Sequence, residues 1–260
     1  MSRKTVALLL FSVIIEIMLE KYAENMQKYY DFFPKMLFDA HFHYAVCKKI
    51  GICDLPQNWA GISCAHSLLE LEMQKTAPSC VIQSYGMHPQ NAAAENLTEN
   101  TELLEALLRN KEISFIGEAG FDYFTDEFKQ TAARQEEIWN IQLDLALAYN
   151  VPLVIHCRKA NHKLFEYSKH LKKLPEVLFH SFMGPPSEAV SLLKRGINGY
   201  FSFGKQLLNG NKKAIACVRE LPAKCVLAET DAPFQTLKGE KYTSPEEIKS
   251  VYEEIENIRR

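Results

Sequence analysis

Eight short apolar runs that alternate with helical patterns limit the fold of this sequence more than any other feature. The runs are rich in β-branched and aromatic residues and are almost continuously apolar, which is typical of strands buried on both faces. We predict strands at residues 37–42, 61–65, 80–85, 114–118, 152–156, 177–180, 199–203 and 224–229. Because helical segments separate them, the strands should run parallel in one sheet covered by helices.

The clearest helical pattern covers residues 131–149, where apolar side chains recur along one stripe. Further helices are predicted at 102–108, 186–194, 212–220 and 245–258. The roughly 225 residues after residue 35 fit eight strand–helix units closed into an α/β, (β/α)₈ TIM-type barrel better than an open sheet. No glycine-rich phosphate-binding loop follows any predicted strand, which weighs against a nucleotide cofactor.

Residues 1–35 form an N-terminal extension that differs from the predicted single compact barrel domain at residues 36–260. The basic residues Arg3 and Lys4 precede an apolar stretch at residues 5–19. Glu16 interrupts this stretch, and no small-residue signal-peptide cleavage site follows it. The stretch is shorter than the ~20 residues of a membrane span. Three interpretations remain open: a hydrophobic helix docked on the domain, a degenerate signal or anchor, or a misassigned start with Met36 as the true one. Because the apolar stretch is too short to span a membrane, we expect no stable membrane partner.

Charge and cysteine content exclude several classes of protein. The formal net charge is −2, so any attraction to a polyanion must be local. The 7 cysteines are irregularly spaced and form no C-x-x-C pair, which excludes a zinc ribbon and a thioredoxin-type motif. Free thiols of this kind are typical of a reducing compartment, and we expect a cytoplasmic protein. Nothing in the sequence specifies an oligomeric state.

Potential metal ligands cluster at the carboxyl ends of the predicted strands. These residues are His41, His43, His88, Glu118, His156, His180 and Asp231. In a barrel all these strand ends lie on one face, where barrel enzymes build their active sites. Burying imidazoles and carboxylates without a partner would lower the free energy of unfolding by on the order of several kcal/mol. A bound cation removes this penalty. The pattern therefore predicts a metal centre.

Six of these residues, with His88 set aside, exceed the four ligands of a single tetrahedral site. They fit two divalent cations, and the donor types suit Mg²⁺, Mn²⁺ or Zn²⁺ without deciding between them. Glu118 comes from the strand between the two histidine pairs and is the natural bridge. His41, His43 and Asp231 would complete one ion, because strands one and eight are neighbours in a closed barrel. His156 and His180 would hold the other ion.

Seven segments match, in order, the motifs of a known family. They are FDAHFH (38–43), GMHP (86–89), IGEAGFDY (116–123), PLVIHCR (152–158), FHSF (179–182), GYFSFG (199–204) and AETDAP (228–233). Each is weak alone, but together they are specific. The sequence thus resembles the TatD-type metal-dependent deoxyribonucleases of the amidohydrolase-like barrel superfamily.

The resemblance implies a divalent metal centre and hydrolysis of DNA phosphodiester bonds from a 3′ end. It gives metal-ligand roles to the six residues named above and places His88 and Arg158 near the substrate phosphate. The chain departs from the family pattern at Gln90, where relatives often carry histidine. It also departs at residues 235–242, which replace an Arg-Asn-x-Pro segment. These departures affect the substrate class and turnover, not the metal ligands.

The expected chemistry is attack of a metal-activated water on phosphorus. Glu118 and Asp231 are the predicted catalytic residues, and Asp231 can also accept the proton of the water. Predicted loops after strands five, seven and eight carry a basic rim: Arg158, Lys159, His162, Lys163, Lys205, Lys238 and Lys241. Aromatic residues in the mouth loops could stack bases: Tyr44, Tyr123, Phe124, Phe182 and Phe234. We therefore expect single-stranded ends of DNA, or of RNA, as substrate.

Two other functions remain open. A metal-dependent hydrolase on the same barrel could cleave an ester or amide bond of a small-molecule or aminoacyl-type substrate. Many such relatives bridge their ions with a modified lysine at the end of strand four, where this chain has Glu118, and this favours phosphodiesters. A barrel that binds metal or nucleic acid without turnover is the other alternative, and the complete ligand set argues against it.

Overall fold

The computed structural model describes residues 37–260, so the predicted N-terminal extension, residues 1–35, lies outside the described residues together with Met36. The strands are β1 (Leu37–Phe42), β2 (Trp59–Ala65), β3 (Val81–Tyr85), β4 (Phe115–Asp122), β5 (Leu153–Arg158), β6 (Val177–Phe179), β7 (Gly199–Phe203) and β8 (Val226–Ala228). Neighbouring strands pair in parallel, in chain order from β1 to β8. This architecture confirms the predicted (β/α)₈ TIM-type barrel.

Helices follow the strands. They are α1 (Tyr44–Lys49), α2 (Leu68–Gln74), α3 (Leu97–Arg109), α4 (Asp126–Gln130), α5 (Ala132–Tyr149), α6 (Asn161–Glu166), α7 (Ser168–Leu171), α8 (Pro186–Lys194), α9 (Lys212–Glu220) and α10 (Ile248–Arg259). Within residues 37–260, no helix combines the length and the apolar character needed to cross a membrane.

The predicted helix boundaries are correct for α8 and α9 and one residue early for α5. The helix predicted at 102–108 begins earlier, at Leu97, because the side chain of Asn96 caps it by accepting the backbone N–H of Glu99. The last predicted helix divides into a 3₁₀ turn, Pro245–Glu247, and α10.

The barrel closes between β1 and the chain that follows β8. The N–H of Asp231 donates to the carbonyl of His41 at 2.9 Å, and the N–H of His43 donates to the carbonyl of Ala232 at 2.8 Å. The buried Asp39 carboxylate also accepts hydrogen bonds from the backbone and the hydroxyl of Thr230, at 2.9 and 2.6 Å. The same contacts that close the barrel therefore fix the backbone of three predicted ligands.

Two apolar layers lie on opposite sides of the sheet. The inner layer contains strand residues alone and fills one end of the barrel: Phe38, Ala40, Ala60, Ile62, Cys64, Phe115, Val154, Leu178 and Tyr200. The outer layer joins the strands to the helices, with Trp139 and Leu143 of α5 among its members. The barrel interior is thus packed at one end, and its polar residues gather at the other.

Irregularities in β1 and β4 turn ligand side chains into the barrel. In β1, Phe38 and Ala40 face inward, and strict alternation would send His41 outward. The pairing register shifts between Asp39 and Phe42, after which Phe42 faces the outer layer and His41 faces inward. A similar shift lies between Ile116 and Ala119 of β4, around Glu118. Such bulges re-aim side chains at active sites.

Strand four is the largest correction to the predicted strands. It was expected to end at Glu118, but β4 continues to Asp122. In contrast, β8 ends at Ala228, which leaves Glu229 and Asp231 in the loop that follows. His180 likewise lies just beyond the end of β6. The ligand-bearing residues still meet at one end because the shifted boundaries stay on the carboxyl side of each strand.

Glu176 lies one residue before β6, away from the polar end of the barrel. Its burial leads to a prediction about the stability of the protein. Burial raises the pKa of its carboxyl from 4.5 to about 7. The native chain therefore favours the protonated acid, and its stability falls as the pH rises from the unfolded pKa through the native one. Glu176→Gln should stabilise the protein more at pH 8 than at pH 5, by on the order of 1 kcal/mol after allowance for partial exposure.

Denaturant unfolding at both pH values measures this difference. Glu253→Gln is a suitable control because Glu253 is exposed on α10. An equal effect of Glu176→Gln at pH 5 and pH 8 would contradict the prediction.

Candidate metal centre

The carboxylate of Glu118 lies at the middle of the polar end of the barrel. Its Oε1 atom is 3.4 Å from Nε2 of both His41 and His43. Its Oε2 atom is 2.7 Å from Nε2 of His180 and 3.2 Å from Nδ1 of His156. The structure therefore brings together the two predicted histidine pairs, one at each oxygen of the predicted bridge.

Asp231 completes the side of the site that Oε1 faces. Its Oδ1 atom is 3.4 Å from Nε2 of His41 and 3.3 Å from Nε2 of His43. Its backbone is in the left-handed region, with φ 53°, which is uncommon for a non-glycine residue. Such conformations occur at functional sites where the surrounding structure holds them.

Electrostatics keep both carboxylates charged. Burial opposes ionisation, but the histidines around them lower the pKa of Glu118 and of Asp231 well below the usual range. Burial also disfavours a charged His41, yet the Glu118 carboxylate raises the pKa of that imidazole well above its usual value. For His43, burial prevails and lowers the pKa. The negative potential that attracts a proton to His41 also attracts a metal cation.

The donor set fits divalent cations. Nε2 of His41 lies 3.2 Å from Nε2 of His43, and Nδ1 of His156 lies 3.2 Å from Nε2 of His180. The two oxygens of Glu118 cannot accept a hydrogen bond from every ring nitrogen around them. Where the lone pairs of two ring nitrogens face each other, they repel unless a proton or a cation lies between them. One cation could be held by His41, His43, Asp231 and Oε1 of Glu118. A second could be held by His156, His180 and Oε2, which lie within 3.2 Å of one another.

Asp122 orients His156 and was not among the predicted site residues. Its Oδ2 atom is 3.0 Å from Nε2 of His156, which leaves Nδ1 directed at Glu118. Although burial opposes both shifts, this pairing lowers the pKa of Asp122 to about 2 and raises the pKa of His156 to about 9. The amide of Gln90 donates to the same Oδ2 atom at 2.8 Å. The residue that departs from the family pattern thus supports a ligand.

Glu229 and Gln235 form a second supporting group that the sequence analysis did not select. Nδ1 of His180 lies 3.8 Å from Oε2 of Glu229, and the hydroxyl of Ser202 donates to that oxygen at 2.6 Å. The side-chain amide of Gln235 donates to Glu229 and to Oδ2 of Asp231, both at 3.1 Å. These contacts fix the carboxylates beside the nitrogens of the predicted ligands, as outer-sphere partners do in metal sites.

The two predicted substrate-binding residues both lie beside the His156–Asp122 pair, His88 with its ring 4.5 Å from that of His156 and Arg158 in contact with Asp122. Nε2 of His88 is 3.5 Å from Oε2 of Glu118, and its Nδ1 accepts the N–H of Gln90. Burial lowers the pKa of His88 to about 3, so the ring is neutral and carries its hydrogen on Nε2. The Arg158 guanidinium lies 4.0 Å from the ring centroid of Phe124 and 3.4 Å from Asp122.

His66 also reaches the centre, and the sequence analysis missed it. Its Nε2 atom lies 3.0 Å from Oε1 of Glu118. The strand predicted at 61–65 ends one residue earlier, so the same search of strand ends could have found it.

A (β/α)₈ barrel whose carboxyl-end mouth gathers imidazoles around a buried carboxylate defines a class of metal-dependent hydrolases. The family described as TatD related DNase matches residues 38–260. The chain belongs to this family and is a metal-dependent hydrolase, as the sequence resemblance predicted.

Several relatives can be compared directly. A metal-dependent hydrolase of Methanocaldococcus jannaschii is 30% identical over 77% of this chain and 76% of its own length. A protein of Cronobacter turicensis named 3′-5′ ssDNA/RNA exonuclease TatD is 36% identical over 57% of this chain and 56% of its own. The crystal structure of YJJV, a TatD homolog from Escherichia coli, covers 86% of this chain and 90% of its own, with a TM-score of 0.75 and 23% identity. The last similarity concerns the fold.

Replacing the central carboxylate tests the metal centre. Glu118→Gln should lower the affinity for Mn²⁺ or Zn²⁺ by about 100-fold or more, because the charge shared by both halves of the site is lost and one of the two oxygens becomes an amide nitrogen. Isothermal titration calorimetry measures the affinity and the stoichiometry, with Glu253→Gln as the control. Unchanged binding in Glu118→Gln would show that the cations bind elsewhere.

Proposed function

We propose that this chain is a 3′–5′ exonuclease that acts on single-stranded DNA ends and also accepts RNA. The observation that carries the proposal is the cluster of histidines and Asp231 around the Glu118 carboxylate, at a mouth with a cation and an exposed aromatic ring. Relatives named as ssDNA/RNA exonucleases, from Cronobacter and Edwardsiella, and a human protein named 3′-5′ RNA nuclease support it.

The proposed metal ligands are those of the sequence analysis: His41, His43, Glu118, His156, His180 and Asp231. Two divalent cations held there would neutralise charge on the phosphoryl oxygens and make a water nucleophilic at neutral pH. Oδ1 of Asp231 faces the histidines, while Oδ2 takes a hydrogen bond from Gln235 and is the oxygen that accepts the proton of the attacking water. Glu118 holds the two halves of the centre at a fixed separation.

His88 and Arg158 are proposed to bind the scissile phosphate. His88 keeps its ring neutral and presents an N–H at Nε2, so it donates a hydrogen bond without adding charge. Arg158 presents a planar, permanently charged group that suits phosphate oxygens. Asp122 contacts both Arg158 and His156, so it links phosphate binding to a metal ligand.

Aromatic rings at the mouth support a single-stranded substrate. Phe234 is 50% exposed and lies 5.0 Å from the ring of His43, and Phe124 is 48% exposed beneath Arg158 and Lys159. Exposed rings beside cations can stack bases while the cations contact the backbone. Fewer of the predicted aromatic residues can stack bases than expected, because Tyr44 and Phe182 are buried.

The basic rim is also smaller than expected. Lys205 is buried and pairs with Glu240 and Glu247, and Lys163 pairs with Glu136 and Glu166. Their charges are therefore neutralised within the protein. The rim residues left for substrate are Arg158, Lys159, His162, Lys238 and Lys241. Arg158 also contacts Asp122, but its side chain stays 38% exposed at the mouth.

An end-labelled single-stranded DNA oligomer tests the proposed activity. With Mn²⁺ or Mg²⁺ the protein should release nucleotides stepwise from the 3′ end, and EDTA should abolish the release. Asp231→Asn should lower the rate by about 100-fold or more, because the variant loses the proton acceptor. Gel resolution of the products over time measures direction and rate.

Two controls make the result decisive. A duplex with blunt ends should be cut more slowly, because its bases cannot reach the exposed rings, and a 3′-blocked strand should not be cut. Absence of cleavage by protein shown to carry metal would reject the nuclease and favour the ester or amide hydrolase.

Arg158 offers a prediction about substrate binding alone. Arg158→Gln should raise KM for the DNA oligomer about 10-fold and weaken the dependence of KM on salt, because one phosphate contact is lost. Its metal affinity should change much less than its KM, because Asp122 keeps the hydrogen bond from Gln90 and its contact with His156. Arg109→Gln, exposed at the end of α3, is the control. An unchanged KM would assign Arg158 to packing at the rim.

A further inference from the structure

His66 occupies an inward-facing position directly after β2. Ala60, Ile62 and Cys64 of this strand lie in the inner apolar layer, and the same alternation directs residue 66 into the barrel mouth. The side chain is 12% exposed, with Nε2 at 3.0 Å from Oε1 of Glu118. One ligand atom each from His43, His66 and Glu118 lies within 4.8 Å of the others.

The backbone fixes which nitrogen of His66 carries the hydrogen. Nδ1 lies 3.1 Å from the carbonyl oxygen of Gly86, which can only accept. Nδ1 therefore carries the hydrogen, and the lone pair of the neutral ring is at Nε2, directed into the centre. Metal-binding histidines commonly donate their other N–H to a backbone carbonyl in this way.

His88 shows the opposite arrangement a short distance away. Its Nδ1 accepts the N–H of Gln90, so its Nε2 carries the hydrogen and can only donate. The rings of His66 and His88 are 5.0 Å apart, and each directs Nε2 at one oxygen of Glu118. The backbone thus leaves a lone pair on Nε2 of the neutral His66 ring and a hydrogen on Nε2 of His88.

Local structure holds the His66 ring in place. Ser67 caps α2 by accepting the N–H of Glu70, and the Glu70 carboxylate accepts the N–H of His66 at 2.7 Å. The N–H of Gly86 donates to the carbonyl of Ala65 at 3.2 Å, which ties the end of β2 to the chain after β3. The imidazole is therefore oriented before any cation binds.

We propose that His66 is an additional metal ligand on the Oε1 side of Glu118, beside His41 and His43. This side then offers three imidazoles and two carboxylates, from Glu118 and Asp231. Imidazole-rich sites favour Zn²⁺, Co²⁺ and related ions over Mg²⁺. The inference rests on the metal centre of the proposed function and is independent of the substrate.

Cobalt titration of the full chain tests the assignment without any substrate. The visible absorption of Co²⁺ reports the number and type of its ligands, and competition with a chelating dye gives the affinities for Co²⁺, Zn²⁺ and Mg²⁺. His66→Gln should weaken Co²⁺ and Zn²⁺ binding about 10- to 100-fold, change the Co²⁺ spectrum and alter Mg²⁺ binding less than about 3-fold. His170→Gln, exposed on α7, is the matched control.

Nitrogen-15 spectra of the histidine rings in the unaltered protein give a second measurement that needs no variant. With Zn²⁺ bound, five of the 8 histidines should show the shift of a coordinated ring nitrogen: His41, His43, His66, His156 and His180. His88 should not shift in this way. A coordinated set without His66 would overturn the proposal, as would an unchanged Co²⁺ spectrum and affinity in folded His66→Gln.

Failure of the proposed nuclease activity has a different signature. Protein that binds Zn²⁺ through His66 but leaves the labelled DNA intact would reject the nuclease and keep the ligand.

Discussion

A buried carboxylate at the centre of the barrel mouth determines the arrangement around it. Glu118 is almost fully buried, and an isolated carboxylate there would cost several kcal/mol even after partial relaxation. Its two oxygens therefore need cationic or hydrogen-bonding partners. Those partners come from β1 and β5 and from the residues that follow β2, β3 and β6. Each of these strands must therefore end level with the Glu118 carboxylate. The closure between β1 and the chain after β8 adds Asp231 to the same set.

The strands were predictable and the bulges were not, for a physical reason. A strand buried on both faces leaves a continuous apolar run, so β1 and β7 were predicted with their observed boundaries. A bulge changes the side-chain alternation at one point and leaves no periodic signal. The prediction for β4 therefore stopped at Glu118, where the polar residue interrupts the apolar run, although the strand continues to Asp122. Short helices such as α1 and α2 were missed because six or seven residues are too few to show an apolar stripe, and tertiary contacts stabilise such helices more than local sequence does.

The six residues predicted to be ligands could be selected because strand ends are visible in a sequence, and the barrel brings strand ends together. The roles of individual nitrogens could not be found in the same way. They depend on hydrogen bonds to groups from elsewhere in the chain, such as the Gly86 carbonyl for His66 and the Gln90 N–H for His88. Asp122 lay inside a matched motif, yet its contact with His156 becomes evident only when β4 and β5 pair.

The departures from the family pattern lie in the layer that supports the metal centre. Gln90 supplies an amide N–H to Asp122 and leaves the orientation of His156 intact. The segment that replaces Arg-Asn-x-Pro begins with Gln235, whose amide contacts both Glu229 and Asp231. The same segment neutralises the buried Lys205 through Glu240. These substitutions keep the carboxylates oriented and so preserve the arrangement at the centre. At the rim, the segment pairs Lys205 internally and brings in Lys238 and Lys241, so it changes the distribution of positive charge around the mouth. The substrate preference of this chain should therefore differ from that of its relatives more than its metal ligands do.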